Sequence, residues 1–312
     1  DLHLCDRRQR QMCIRDSAKS GHPGGSLSIA DLLTYLYFEK MNVNQNDPDN
    51  ADRDRFVLSK GHCAPALYSA LALKGYFPEK ELKSLRHIGA ALQGHPCIHI
   101  NGVDMSSGSL GQGISAACGM ALAGKLDNKS YRVYTVLGDG EIEEGQVWEA
   151  AMFAAHKKLD NLVAVVDNNG LQIDGPIAEV CSPEPITDKF AAFGWHVITM
   201  NAHDFDSIEK AFEEADKISA DREQRLSKAN EAAKQVINDN VSKAKEQAKL
   251  RTDEAKKQSS ESIVSAKNDL NSQAEQTKEL LKGNIKELAE SISQKILGEY
   301  TPIDTVNNEI VN

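Results

Sequence analysis

Four glycine-rich motifs in the first half of the chain hold the residues best suited to chemistry. They are SGHPGGS at 20–26, SKGH at 59–62, GSLGQG at 108–113, and GDG at 138–140 with Asn168-Asn169 downstream. Glycine lets the backbone approach a phosphate closely, and histidine titrates near neutral pH and can move protons. A lone GDG is more often an ordinary turn, and an arbitrary histidine more often packs than reacts. The four motifs together predict a site for a diphosphate-bearing ligand.

Asp139 and Asn169 are candidates for a cation site beside that diphosphate. Asp139 follows one apolar run and can supply a carboxylate oxygen, whereas Asn169 follows the next run and can supply an amide oxygen. The carbonyl oxygen of Leu171 can complete the protein's share of a Mg²⁺ or Ca²⁺ shell. Because parallel strands end at the same sheet edge, we expect the side chains of Asp139 and Asn169 to lie close enough to share one cation.

The elements that position these motifs are short apolar runs that alternate with helical stretches from Ser17 onward. This order predicts a parallel sheet with crossover helices, and the Val/Ile-rich runs suit strands that are buried on both faces. Strands are expected at Arg132–Leu137, Asn161–Asp167 and His196–Met200. Helices are expected at Ser28–Glu39, Ala64–Leu73, Gln112–Ala123, Gly145–Lys157 and Asp206–Ala215. The predicted fold class is α/β, a doubly wound parallel sheet followed by a long α-helical coiled-coil tail.

The composition changes abruptly along the chain. All nine His, all six Cys and both Trp precede residue 204, whereas no Phe, Trp or Tyr lies between Phe212 and Tyr300. The net charge of −10 predicts no basic surface for nucleic acid, and no apolar run reaches the roughly 20 residues of a membrane span. The cysteines show no CxxC pair or metal-ligand spacing, so we expect reduced thiols and a cytoplasmic location.

Beyond Ala215 the sequence repeats with a period of eleven residues, and three lines of mostly apolar or small residues run along the predicted helix. The first line is Leu226, Ile237, Ala248, Ser259, Leu270, Leu281 and Ile292; the second is Val241, Thr252, Ile263, Ala274, Ile285 and Ile296; the third is Ala233, Ala244, Ala255, Ala266, Thr277 and Leu288. We call these three lines the apolar seam. Eleven residues in three turns predict a right-handed supercoil for any coiled coil built on this seam.

Over about residues 17–215 the four motifs resemble the thiamine-diphosphate-binding domain of transketolase, and they are most similar to the amino-terminal subunit of its split form. The resemblance implies that His62 and Gly140 contact the cofactor diphosphate, and that Gly108 and Leu110 lie beside the cofactor rings. It further implies a metal shell (Asp139, Asn169 and the Leu171 carbonyl), two active-site histidines (His22 and His95) and a buried glutamate near the cofactor and the subunit contact (Glu144).

The resemblance implies a transferase that moves a two-carbon ketol unit between sugar phosphates, with thiamine diphosphate as the electron sink. In the family a glutamate of a second, pyrimidine-binding domain activates the cofactor, so the implied partner is a pyrimidine-domain subunit. After Ala215 this sequence departs from the family's next strand, its glycine- and lysine-rich loop and a further histidine. The helix before SGHPGGS is also replaced, so we expect a binding domain that is truncated at both ends.

The tail, about residues 216–300, resembles peripheral-stalk subunits of rotary A/V-type ATPases, whose coiled coils are right-handed. The alternative function is therefore a stalk protein whose tail has a helical partner, and a generic coiled coil or a solvated helix stays open. Residues 1–16 resemble a non-native extension, and residues 301–312 are expected to be a disordered end. A fusion of two genes would explain the foreign start together with the change at Ala215, so we take a chimeric sequence as the working hypothesis.

Overall fold

The computed structural model describes residues 21–173 and 175–298, so the predicted extension at 1–16 and the predicted disordered end at 301–312 lie outside the described residues. The first of two compact units of the chain, which ends at Glu223, contains three parallel strands. They are β1 (Arg55–Leu58), β2 (Val133–Gly138) and β3 (Leu162–Asp167), and they pair in the order β1-β2-β3. In the middle strand Val136 lies opposite Leu58 on one side and opposite Val165 on the other.

Helices surround this sheet, and loops of different lengths join them, the longest running from 85 to 111. They are α1 (Pro23–Ser28), α2 (Ala30–Tyr35), α3 (Ala64–Lys74), α4 (Gln112–Leu126), α5 (Gly145–Lys157), α6 (Ile177–Val180), α7 (Ile186–Ala192) and α8 (Phe205–Leu297). A π-helical turn lies at Leu36–Lys40, and 3-10 turns lie at Gly61–Cys63, Glu79–Ser84 and Glu141–Glu143. A short antiparallel pair, β4 (Leu171–Gln172) and β5 (Gly175–Pro176), follows β3.

The side chains of the central strands alternate between two hydrophobic cores, one on each face of the sheet. Phe56 and Tyr134 belong to the first core, together with residues of α2, α3 and the start of α8. Val57 and Val133 belong to the second core, together with residues of α4, α5 and α7. A strand that is buried on both faces needs apolar residues at successive positions, which explains the non-alternating Val/Ile runs in the sequence.

Most of the predicted elements match the structure to within a few residues, but two differ. The predicted helix at 28–39 is divided at Ile29, where α1 ends and α2 begins. The predicted strand at 196–200 is wrong, because within the described residues no main-chain hydrogen bond joins it to β3. Met200 instead packs its side chain against the first core. An apolar pattern alone does not specify the main-chain partner that a strand requires.

The α8 helix contains 93 residues, which at about 1.5 Å per residue gives a length of roughly 140 Å. Its first turns belong to the first unit, because Ile208 and Phe212 are buried in the first core. The chain divides into two units between Glu223 and Gln224. Beyond that point the large apolar side chains of the helix are exposed. The expected uninterrupted helix is confirmed, whereas its pairing into a coiled coil stays a prediction.

None of the helices described here has a stretch that is both long and apolar enough to cross a membrane.

Candidate functional site

The predicted site residues gather at the carboxyl edge of the parallel sheet. SKGH follows β1, GDG begins at the end of β2, and Asn168-Asn169 follows β3. The strand register brings these loops to one level, because Leu58 pairs with Val136 and Gly138 pairs with Asp167. Open α/β sheets bind their ligands at this edge. The histidine, aspartate and asparagine residues of the motifs therefore lie where a ligand would bind.

His22, His62 and His95 meet around this edge. The rings of His22 and His62 lie edge to face with their centroids 5.2 Å apart. A Cβ atom built on Gly108 would lie 3.1 Å from Cγ of His95. A Cβ atom on Gly61, next to His62, would lie 2.8 Å from the main-chain nitrogen of Gly108. The structure thus brings the three histidines and the GSLGQG loop together, while the chemical roles of these residues stay predictions.

Burial keeps His62 uncharged at neutral pH. It lowers the pKa of His62 from its usual 6.5 to about 4, and the positive charge of Lys60 lowers this pKa further in the same direction. A neutral imidazole carries one N–H donor and one acceptor nitrogen. At pH 7 His62 can therefore donate a hydrogen bond to a ligand without adding a full positive charge.

A buried ion pair between Lys60 and Asp167 joins three of the four motif regions. The Lys60 side chain is 1% exposed and that of Asp167 is 9% exposed. The Lys60 ammonium also donates to the carbonyl of Gly25 at 2.9 Å, and the Ser28 hydroxyl donates to the same Asp167 carboxylate. Sequence reasoning missed this pair. The available signal was an aspartate at the end of an apolar strand together with a lysine directly after another strand.

Asp139 lies at the end of β2 and reaches the loop that carries the other predicted metal ligands. The residue is 2% exposed, and its carboxylate accepts hydrogen bonds from the N–H groups of Gly140 at 3.0 Å and of Gly170 at 2.8 Å. Burial raises the pKa of this carboxyl group, although both hydrogen bonds act in the opposite direction. Asn169 immediately precedes Gly170, and its Oδ1 accepts the N–H of Leu171 at 2.9 Å. Asp139 and Asn169 therefore share one loop environment.

A metal ion at this edge would depend on amide and carbonyl oxygens as well as on Asp139. Among the described residues, no group of three or more His, Cys, Asp or Glu side chains is arranged to hold a metal ion. Mg²⁺ and Ca²⁺ accept amide and main-chain carbonyl oxygens readily. The predicted shell of one carboxylate, one amide and one carbonyl is compatible with this arrangement, and it stays a prediction.

Glu141 is a third buried carboxylate at this edge, and sequence reasoning did not select it. It is 2% exposed and accepts the N–H of Gly111 at 2.9 Å, the N–H of Gly138 at 3.0 Å and the hydroxyl of Ser59. Burial raises the pKa of Glu141. This one side chain ties the end of β1, the end of β2 and the GSLGQG loop together. Its position directly after GDG was the only sequence signal.

Glu144 is exposed in the single chain, and its expected burial near the cofactor and a subunit contact stays a prediction. The physical reason for its exposure is that Glu144 occupies the N-cap position of α5, where the chain leaves the sheet edge, whereas Glu141 points inward. Glu144 still contacts the predicted cofactor loop: a Cβ atom on Gly111, whose φ is +80°, would lie 2.9 Å from the Glu144 Cβ. Leu110 in the same loop is 39% exposed. Gly140 lies against the side chain of Gln172.

Comparison with known proteins agrees with this geometry. A match to the family described as transketolase, thiamine diphosphate binding domain, spans residues 7–261. The chain belongs to this family. It is 50% identical over 209 residues to the 6-deoxy-6-sulfo-D-fructose transketolase subunit of Clostridium sp. (strain MSTE9), covering 66% of this chain and 76% of the relative. It is 44% identical over 216 residues to one subunit of the apulose-4-phosphate transketolase of Phocaeicola vulgatus, covering 69% of this chain and 77% of that relative.

Solved transketolase structures share the fold of the first unit. The transketolase of Campylobacter jejuni is 34% identical with a TM-score of 0.65, covering 68% of this chain and 35% of that chain. The transketolase of Leishmania mexicana is 34% identical with a TM-score of 0.63, covering 67% of this chain and 33% of that chain. This chain therefore spans about three quarters of the two relatives named as transketolase subunits, and about a third of these longer transketolases. It corresponds to the N-terminal, thiamine-diphosphate-dependent component of a transketolase.

Proposed function

We propose that this chain binds thiamine diphosphate and Mg²⁺ at the carboxyl edge of its sheet, and that it transfers a two-carbon ketol unit between sugar phosphates together with a partner subunit. The observation that carries the proposal is the convergence of His62, Asp139 and the GSLGQG loop at that edge in a member of the transketolase family. Bound thiamine diphosphate supplies the electron sink for the transfer, and the protein supplies binding, orientation and proton transfer.

Two glycines allow the SGHPGGS, SKGH and GSLGQG loops to pack closely together at the proposed diphosphate site. Gly25 lies so close to SKGH that a Cβ atom there would be 2.8 Å from Sγ of Cys63 and 3.5 Å from Nε2 of His62. Gly61 allows a similarly close approach between SKGH and the GSLGQG loop. Main-chain N–H groups that are not shielded by side chains can approach phosphate oxygens closely. A neutral His62 would add one directed N–H donor to this site.

The metal ion would be held by Asp139, the amide oxygen of Asn169 and the carbonyl oxygen of Leu171. A carboxylate has about four acceptor positions, and two neighbouring glycine N–H groups occupy two of those on Asp139. The ion would neutralise part of the diphosphate charge, which Lys60 alone cannot do because it is already paired with Asp167.

His22 and His95 are proposed to bind the sugar phosphate and to move protons, because they lie beside His62 and Gly108 at the same edge. Gly108 and Leu110 would lie beside the cofactor rings, and Gly140 would contact the diphosphate. An imidazole ring can donate a proton to a carbonyl oxygen when it is charged and can accept one from a hydroxyl group when it is neutral.

A second subunit is proposed to complete the site. It would supply the glutamate that activates the cofactor, and it would cover the exposed side chains at the carboxyl edge. Leu110 is 39% exposed, Leu171 is 64% exposed and Ile173 is 90% exposed, and large apolar side chains at a ligand-binding edge favour burial by a partner. Both of the relatives compared over most of their length are named as subunits of transketolases. A cytoplasmic location suits this role, and the described cysteines are free thiols.

Calorimetric titration of thiamine diphosphate tests the cofactor and metal proposal. With Mg²⁺ present, we expect the wild-type chain to bind and Asp139→Asn to lose the metal-dependent part of the binding heat. Asp49→Asn is the matched control, because Asp49 is exposed and lies away from the sheet edge. Unchanged binding by Asp139→Asn would overturn the metal assignment. The isolated wild-type chain should not catalyse ketol transfer from a ketose phosphate, and addition of a pyrimidine-domain subunit should produce this activity.

The tail favours a second role, which we propose is pairing with another helix. This proposal is supported by the uninterrupted α8 helix, which carries an exposed apolar seam. In this seam Ile263 is 65% exposed and Leu270 is 66% exposed. A peripheral-stalk protein of a rotary ATPase would use such a helix in a right-handed coiled coil. Copurification of the full chain with a membrane ATPase would favour the stalk function over a generic coiled coil.

A further inference from the structure

A column of lysines runs along the tail with the same eleven-residue period as the apolar seam. Its members are Lys234, Lys245, Lys256, Lys267 and Lys278. The first four are exposed and Lys278 is half-buried. Within residues 175–298, no lysine of this column forms a salt bridge. The ammonium groups of the lysine column are therefore available to pair with acidic groups outside this helix.

The lysine column borders the apolar seam. Lys267 lies four residues after Ile263 and three residues before Leu270, and both of these seam residues are exposed. Residues three and four apart are neighbours on a helix surface. The same relation places Lys278 three residues before Leu281. When another helix packs on the seam, the residues that flank its contact surface will therefore lie opposite the lysine ammonium groups.

The acidic residues lie mostly on the side of the helix that faces away from the apolar seam, which we call the far side. With eleven residues in three turns, successive residues are about 98° apart, so positions can be assigned around the helix. The flank opposite the lysine column consists of Ala229, Asn240, Arg251, Ser262, Gln273, Asn284 and Lys295. The far side carries Glu231, Asp239, Glu246, Asp253, Glu254, Glu261, Glu275, Glu279, Glu287 and Glu290. Asp269 borders the neutral flank. The seam thus has one basic flank and one largely neutral flank.

A second copy of this tail offers the lysine column no opposite charge. In an antiparallel pair the same flanks face each other, so the column would lie against the column of the other copy. In a parallel pair opposite flanks face each other, so the column would lie against the neutral flank, which contains Arg251. The first arrangement is repulsive, and the second forms no ion pairs with the column.

We infer that the seam of the tail binds a helix of a different protein, one with an eleven-residue apolar repeat and a flank of Asp or Glu facing the lysine column. This inference rests on the proposal that the tail pairs with another helix. Small seam residues such as Ala244, Ala255 and Ser259 let two helices approach closely but bury little apolar area. The flanking charges therefore decide the choice of partner to a larger extent than they would beside a leucine-rich seam.

Three peptides that span residues 226–296 serve as probes for the full-length chain. The first has the natural sequence and represents a second copy. The second has glutamate at the five positions of the lysine column, which suits an antiparallel pair. The third has glutamate at positions 229, 240, 251, 262 and 273, which suits a parallel pair. Fluorescence anisotropy of the labelled peptides measures each dissociation constant at low and at high salt.

We expect one of the two acidic peptides to bind about 30-fold more tightly than the natural peptide, because five exposed ion pairs at roughly twofold each multiply to that factor. This preference should shrink at 1 M NaCl, where the Debye length is about 3 Å. In the full chain, K245Q/K256Q/K267Q should lose about eightfold of the affinity by the same estimate. The matched control K228Q/K243Q/K257Q removes three lysines from the far side and should leave the affinity unchanged.

The possible outcomes distinguish the inference of an acidic partner from the proposal that the tail pairs with another helix. If the natural peptide binds as tightly as both acidic peptides, the acidic partner is wrong and helix pairing stands. If no peptide binds, helix pairing itself fails and the inference fails with it. Binding to vesicles of phosphatidylcholine with 30% phosphatidylserine, without binding to any peptide, would identify the seam as a membrane-surface helix and would overturn the acidic helix as its partner.

Discussion

Replacement of Lys60 with methionine should destabilise the first unit strongly, because it leaves the Asp167 carboxylate buried without its cation. The two side chains are 1% and 9% exposed, and removal of one member of a buried ion pair costs about 3–5 kcal/mol. The Ser28 hydroxyl and the Asn169 amide still donate to Asp167, so we expect a loss near the lower end, about 3 kcal/mol. For a unit of this size the melting temperature should fall by roughly 6–12 °C.

Tryptophan fluorescence during urea unfolding isolates this effect, because Trp148 and Trp195 lie in the first unit and the tail contains no tryptophan. The wild-type chain, K60M, D167N and K60M/D167N form a double-mutant cycle. Loss of both charges removes the uncompensated buried charge that each single variant leaves behind. The double variant should therefore be more stable than the sum of the single effects predicts, by about 2 kcal/mol.

Two results would refute this reasoning. A loss below about 1 kcal/mol in K60M would mean that water or another group compensates Asp167. Additive single effects would mean that Lys60 and Asp167 do not interact energetically. Lys80→Met is the matched control, since Lys80 is exposed, and its unfolding free energy should stay within about 0.5 kcal/mol of the wild-type value.

Three further predictions concern the same sheet edge. Glu141→Gln should lose about 1–3 kcal/mol in urea unfolding, because an amide has one acceptor oxygen and leaves the Gly138 N–H or another buried donor unpaired. The pKa of His62 is about 4 in the folded chain and about 6.5 when unfolded. Neutral His62 therefore contributes fully to stability above pH 6.5, and this contribution is lost as the pH falls toward 4. The free energy of unfolding of His62→Gln should depend less on pH between 4 and 6.5 than that of the wild-type chain. Gly61→Ala should weaken thiamine diphosphate binding in calorimetry and destabilise the unit, since its Cβ would lie 2.8 Å from a main-chain nitrogen, whereas Gly119→Ala, which meets nothing within 4 Å, should be tolerated.

Two of the three strands of the sheet could be predicted from the sequence, whereas β1 was missed because only four residues form it. The runs that became β2 and β3 contain successive apolar residues, a pattern that is typical of strands in a parallel sheet covered on both faces. The meeting of His22, His62 and His95 was anticipated from the family resemblance of their motifs. Strand order alone would not predict it, since His62 follows β1 whereas His22 precedes the sheet and His95 lies between two helices.

The interior polar contacts could not be predicted in the same way, because they depend on which side chains meet across the sheet. Lys60 and Asp167 are 107 residues apart in the chain, and no local pattern links them. Glu141 and Glu144 are two of three glutamates that follow GDG within four residues, and local sequence does not say which of them points inward. The strand expected at 196–200 failed for a related reason, since pairing depends on a neighbour and not on composition.

The buried carboxylates at the sheet edge differ in how many hydrogen bonds they accept from the protein. This difference distinguishes the carboxylates that stabilise the fold from the one that is expected to bind a metal ion. Glu141 accepts two main-chain N–H groups and one hydroxyl, and Asp167 accepts an ammonium, a hydroxyl and an amide. From the described part of the chain, Asp139 accepts two glycine N–H groups. A buried carboxylate with unused acceptor capacity is costly unless a cation or another donor uses it. Substitution of Glu141 or Asp167 should therefore reduce stability first, whereas substitution of Asp139 should relieve part of its burial cost and reduce metal-dependent cofactor binding.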